Sequence, residues 1–208
     1  MLGSLGAAGC KATERTPPVD SGLIRVSTDV VVKSGAVGEG EWQTSATYVL
    51  VDADSEAATD LLVTLGGELK DAGGATVGTL RPESIYMPKG SKRTFALVDD
   101  RDAPRPAATT ATIRVLGAVE PKWRPTVTIR DAHLFDDLGK PVIAASVTND
   151  ADRPGRMIVF AAFHDADGRP AARQFDVLEM GSKITHTVRF VGPQGARTAY
   201  LFLGDASY

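Results

Sequence analysis

The sequence predicts an all-β protein: two tandem β-sandwich domains behind a short disordered N-terminal tether. Three observations carry this reading. No long stretch of the 208 residues keeps a 3.6-residue apolar period without Gly or Pro breaking it. Where apolar residues recur, they alternate: Ile184, His186, Val188 and Phe190 share one face, and Thr185, Thr187 and Arg189 the other. The chain also repeats itself.

The repeat is read from ordered segments. Leu61 to Gly74 matches Gly155 to Gly168, with Val63, Leu65 and Leu69 against Met157, Val159 and Phe163. A small residue, Gly67 or Ala161, sits between them, and both copies end in an Asp-x-x-Gly turn. Downstream, Gly90-Ser91-Lys92 through Leu97 parallels Gly181-Ser182-Lys183 through Val188, which sets His186 against Phe95. Thr110 to Gly117 then parallels Arg197 to Gly204. The period of about ninety residues is the size of a small sandwich. It sets a tether over 1–22, a first domain over 23–118 and a second over 122–208. Gly117 to Lys122, with its proline and charges, is the linker. Turn signals punctuate both copies: Asp71-Ala72-Gly73-Gly74, Pro88-Lys89-Gly90, Asp137-Leu138-Gly139-Lys140, Asn149-Asp150-Ala151-Asp152 and Asp165-Ala166-Asp167-Gly168.

The N-terminal segment has its own signature. Small residues lead to the single cysteine in Leu5-Gly6-Ala7-Ala8-Gly9-Cys10, and a polar, proline-bearing stretch follows from Lys11 to Gly22. This resembles the lipobox of a bacterial lipoprotein, in which the signal is cut before a Cys that carries lipid. The resemblance implies lipidation at Cys10 and an envelope location. Lys11, rather than Asp, after the anchor favours the outer membrane, facing the periplasm or the cell surface. No Lys or Arg precedes Cys10, so a start codon upstream of Met1 is expected. One cysteine forms no internal disulfide.

The second copy, from Val127 to Gly204, resembles the FxLYD-type domain of exported bacterial proteins. The resemblance rests on Val127 to Phe135, Val142 to Asn149, Val159 to Pro170, and a Gly-Ser turn before a strand ending at Phe190. Phe163-His164-Asp165 stands where Leu-Tyr-Asp is expected, and Ala161 replaces the first Phe. The first copy carries Leu69-Lys70-Asp71 there. The resemblance implies an immunoglobulin-like sandwich and brings no catalytic residues with it.

Composition and motifs narrow the function classes. A net charge of −3 argues against a nucleic-acid binder. No run of 18 apolar residues forms a membrane-spanning helix. No Gly-x-Ser-x-Gly elbow is present, and Gly-Ser-Lys reads in both copies as a turn entering a strand. Asp165-x-Asp167-Gly168 resembles the opening of a Ca²⁺ loop, but Arg169 and Pro170 follow where further oxygen ligands belong. It reads as a hairpin turn. Asp52-Ala53-Asp54 and Asp150-Ala151-Asp152 read as equivalent turns after strands. Asp99-Asp100-Arg101-Asp102 reads as a solvated loop, and Gly38-Glu39-Gly40-Glu41-Trp42 as a loop before a strand. His133, His164 and His186 offer no close zinc-ligand spacing. His186 is expected at the core or its margin, and His164 on a hairpin beside a turn. Trp42 and Trp123 are expected in core or inter-domain packing. The expectation is a non-catalytic, cofactor-free protein, held to a membrane by lipid on Cys10, whose sandwiches bind or scaffold an unknown envelope protein. A calcium- or carbohydrate-binding module is the alternative.

Overall fold

The computed structural model describes residues 18–37 and 43–208; Cys10, Trp42 and the Gly38 to Glu41 loop lie outside them. The protein is all-β. The first half of the chain runs β1 (Ile24–Val26), β2 (Val31–Val37), β3 (Thr44–Ser55), β4 (Leu61–Lys70), β5 (Thr76–Met87), β6 (Lys92–Val98) and β7 (Thr110–Val119). The second runs β8 (Val127–Asp137), β9 (Lys140–Asn149), β10 (Gly155–His164), β11 (Pro170–Met180), β12 (Thr185–Val191) and β13 (Thr198–Ser207).

Each half is a sandwich of two antiparallel sheets with the same strand order. In the first, β3 lies between β6 and the β1/β2 edge, facing a β5-β4-β7 sheet. In the second, β12-β9-β8 faces β11-β10-β13. β8 is the counterpart of β1 and β2 joined. Its pairing with β9 shifts between Arg130 and His133, and Asp131 takes a left-handed φ of 54° at the break. A second bulge recurs at equivalent points: β4–β7 slips between Thr64 and Leu65, and β10–β13 between Ile158 and Val159.

Alternation builds the two cores. Leu61, Val63, Leu65 and Leu69 of β4 point inward with Val49 and Val51 of β3 and Phe95 and Leu97 of β6. Met157, Val159, Ala161 and Phe163 of β10 do the same in the second half, with Val188 and Phe190 of β12. The Asp-x-x-Gly turns are identical in mechanism. Asp71 Oδ1 accepts from the amides of Gly73 and Ala75, and Asp165 Oδ1 from those of Asp167 and Arg169. Gly74 and Gly168 supply φ of 84° and 77°.

Two boundaries differ from expectation. Residues 18–22, placed in the tether by composition, already belong to the fold: Pro18 bridges Val119, the Val19 amide donates to Ala118, and a 3-10 turn forms over Ser21–Leu23. β3 also runs through Asp52-Ala53-Asp54 rather than turning there. Its outward carboxylates keep the period of two, and Asp52, Ala53 and Asp54 pair with Thr94, Arg93 and Lys92 of β6.

The halves also share apolar packing. Phe160, Ala162 and Phe202, on the outer face of the β11-β10-β13 sheet, are buried in the core of the first half, with Ile158 and Tyr200 packed beside them. This sheet lies against β3, β5 and β6. β10 is therefore buried on both faces, which accounts for its unbroken apolar run from Met157 to Phe163.

Candidate functional site

A polar network closes the junction between the halves. Asp52 of β3 is 3% exposed and His164 of β10 is 4% exposed. His164 Nε2 lies 3.0 Å from Asp52 Oδ2 and 3.2 Å from Oδ1. An ionised carboxylate only accepts, so Nε2 carries the proton. Lys92 Nζ reaches Oδ2 at 2.7 Å, and the Thr94 hydroxyl donates to Oδ1 at 2.5 Å. Thr94 has then spent its one proton, so the Tyr200 hydroxyl, 2.8 Å away, donates to Thr94. Burial pushes the Asp52 carboxyl up, but the bonds from His164, Lys92 and Thr94 outweigh it and hold it below the usual range. The Tyr200 phenol is pushed up by burial.

Beside it, Arg173 of β11 grips Glu83 of β5 through two bonds of 2.6 and 3.0 Å. Its guanidinium also donates to the Thr94 carbonyl and stacks 4.3 Å over the Phe160 ring. The Lys33 ammonium bonds the Ala171 carbonyl across the same junction. A His–Asp pair with a hydroxyl nearby has the groups of a general base, yet both side chains are sealed between sheets, out of a substrate's reach. The arrangement holds the two halves in register.

The remaining singled-out residues stay apart. His133 is exposed on β8, stacked on Phe135 at 5.5 Å. His186 is exposed on β12 rather than at a core margin. Val188 and Phe190 fill the places of Phe95 and Leu97, so the Gly-Ser-Lys match misplaces this strand by two residues. Among the described residues, no three or more His, Cys, Asp and Glu side chains converge on a metal-sized site. Asp150 and Asp152 do lie in a loop after β9. There the Thr128 hydroxyl bonds Asp150, and Lys183 pairs with Asp152 at 2.9 Å. Asp99 is not solvated. It is fully buried, and Arg105 reaches it at 2.7 Å; burial pushes its carboxyl up, but Arg105 and the amides of Arg101 and Ala103 hold it low.

The open site lies elsewhere, where the linker leaves β7. A cleft of about 1220 Å³ is bounded by the ends of β5, β7 and β13, the linker and the loop after β9. Trp123 stands at its rim and is 85% exposed, so it does not serve the packing expected of it. Its neighbours are tied down. Arg124 Nε lies 3.3 Å from Asp60, which also accepts from the Tyr86 hydroxyl at 2.8 Å. The Lys89 amide bonds Asp60 and holds its carboxyl low, while burial and Asp60 push the Tyr86 phenol up to about 12. On the other side, the Thr126 amide donates to the Tyr208 hydroxyl at 2.7 Å, and Arg153 lies 5.3 Å over the Tyr208 ring. The sequence offered one signal for this site, a tryptophan between Lys122 and Arg124 just after the linker.

The chain matches no family model and no curated protein.

Proposed function

We propose that this is a non-catalytic, lipid-anchored cell-envelope protein of the bacterial lipoprotein type, with immunoglobulin-like, FxLYD-type domains that bind or scaffold another envelope component. The observation that carries the reading is Trp123: a large ring left in solvent, flanked by fixed contacts, at the mouth of a cleft. An uncovered indole beside a cleft is available as an aromatic contact anchor. The cleft is rimmed by Trp, Tyr and Arg, the residue types that dominate binding hot spots.

The lipobox-like run at Cys10 supports the anchor. Pro18 pairs with Val119 at the edge of the cleft, and the eight residue steps from Cys10 to Pro18 span at most about 29 Å, so a lipid-bearing cysteine would keep the cleft close to the membrane. The locked junction supports a scaffolding role, because it presents both sandwiches in one orientation.

Two measurements test this. Cys10→Ser moves the protein from the membrane fraction to the soluble fraction; unchanged membrane retention overturns the anchor. A photo-crosslinking residue at position 123 captures an envelope component in intact cells; the absence of any adduct overturns the binding role of the cleft.

A further inference from the structure

We propose that the cleft holds a segment of a neutral oligosaccharide chain stacked on Trp123. The inference rests on the reading of this cleft as the partner site, and names the partner's chemistry.

Charge balance is the first argument. The lining carries three cations, Lys122, Arg124 and Arg153, and three anions, Glu120, Asp150 and Asp152. Such a site projects little net field, so it offers no attraction to a polyanion, a polycation or an anionic membrane surface. It does offer what a polyhydroxylated ligand needs: donors and acceptors of both kinds, with charged groups able to make the stronger bonds.

Ring placement is the second. Trp123 is not sunk in a hole; at 85% exposure its faces stay in solvent. A peptide anchor gains most in a closed, desolvated pocket. A sugar instead lays its C–H face on an open aromatic face while its hydroxyls stay partly hydrated. Tyr86 and Tyr208 add two rings to the same cleft, each with its hydroxyl already bonded.

Size and restraint are the third. A cleft of about 1220 Å³ takes several sugar rings of a longer chain. The contacts of Arg124 to Asp60 and of the Thr126 amide to Tyr208 fix the segment that follows Trp123, so little ordering is required on binding.

The test is calorimetric titration of the Cys10→Ser protein with chitohexaose and with maltohexaose. One of them binds, and its affinity changes less than about twofold between low and high salt, as expected for a neutral ligand. Trp123→Ala binds it about tenfold more weakly or worse, while Trp123→Phe retains binding. Both variants melt as the parent does, because the side chain supports no packing. Binding that survives Trp123→Ala overturns the proposal. So does failure of both sugars to bind: if position 123 still crosslinks a polypeptide, only the oligosaccharide is lost, and if nothing crosslinks, the cleft reading falls with it.

Discussion

Replacing Asp52 by Asn tests whether the buried network joins the two halves. The carboxylate receives Thr94 and His164 on Oδ1 and Lys92 and His164 on Oδ2. Asn keeps the shape but turns one oxygen into a donor. Whichever way the amide lies, its NH₂ faces either the Lys92 ammonium or the Thr94 hydroxyl, and the charge that His164 and Lys92 bond is gone. Lys92 is 42% exposed, so its share is screened; His164 and Thr94 are buried. A spoiled buried contact plus a weakened charged one costs about 2–4 kcal/mol. In a chain of this length that lowers the melting midpoint by roughly 4–16 °C. The sign with pH follows from the carboxyl's low position in the fold. Its contribution is complete above the ordinary carboxylate pKa and is lost as pH falls below about 4. Asp99 and Asp60 titrate in both proteins and cancel in the difference. Urea unfolding at pH 7 and pH 3, followed by circular dichroism, measures the penalty. The reasoning fails if the penalty at pH 7 is under about 1 kcal/mol, or if it does not shrink at pH 3.

Other substitutions probe the junction and the hairpins. Phe202→Ala removes a ring that is 2% exposed in the core of the first half and costs about 3–5 kcal/mol. Hydrogen exchange then shows β3 and β6 losing protection together with β10 and β13; a loss confined to the second half counts against a shared core. Leu138 sits at the β8–β9 hairpin tip, 98% exposed and at a φ of 54°. Leu138→Asn relieves that conformation and raises stability by about 0.5–1 kcal/mol; a lower urea midpoint contradicts the turn geometry.

What the sequence reveals depends on which slips a strand pattern hides. The Leu61 and Gly155 segments align residue for residue with β4 and β10, because each is bounded by an Asp-Gly turn that fixes register. The β6–β12 match slips by two. Gly90, at a φ of 65°, corresponds to Lys183, at 60°, so the shared Gly-Ser-Lys is incidental. A slip of two keeps every side chain on its face, and alternation does not expose it. The β7–β13 match slips by one, which exchanges faces. Thr110 pairs with Lys70 and Thr198 with His164, so Tyr200 and Phe202 correspond to Thr112 and Arg114, on the outer face. Asp52 reads as a turn because Asp-Ala-Asp is typical of one. Pairing with β6 makes it a strand residue, and the donors from β6 and β10 let its carboxylate be buried; both partners are distant in sequence.

The junction is legible where the two copies disagree. Outward positions of β4 carry Thr64, Gly66, Glu68 and Lys70; the matching places on β10 carry Ile158, Phe160, Ala162 and His164. On β7 they carry Thr112 and Arg114, against Tyr200 and Phe202 on β13. A repeat that conserves its inward residues and exchanges polar for apolar groups on one outer face has one covered sheet and one bare sheet. The partner face follows the same logic. Asp52 and Thr94 are buried, while Ser146 and Thr187, at the matching places on β9 and β12, are half-buried and exposed. The inward pattern specifies the sandwich twice, and the outward differences specify how one copy sits on the other. That packing brings the end of β13 beside the ends of β5 and β7, so the cleft at Trp123 is a product of the junction rather than of either sandwich alone.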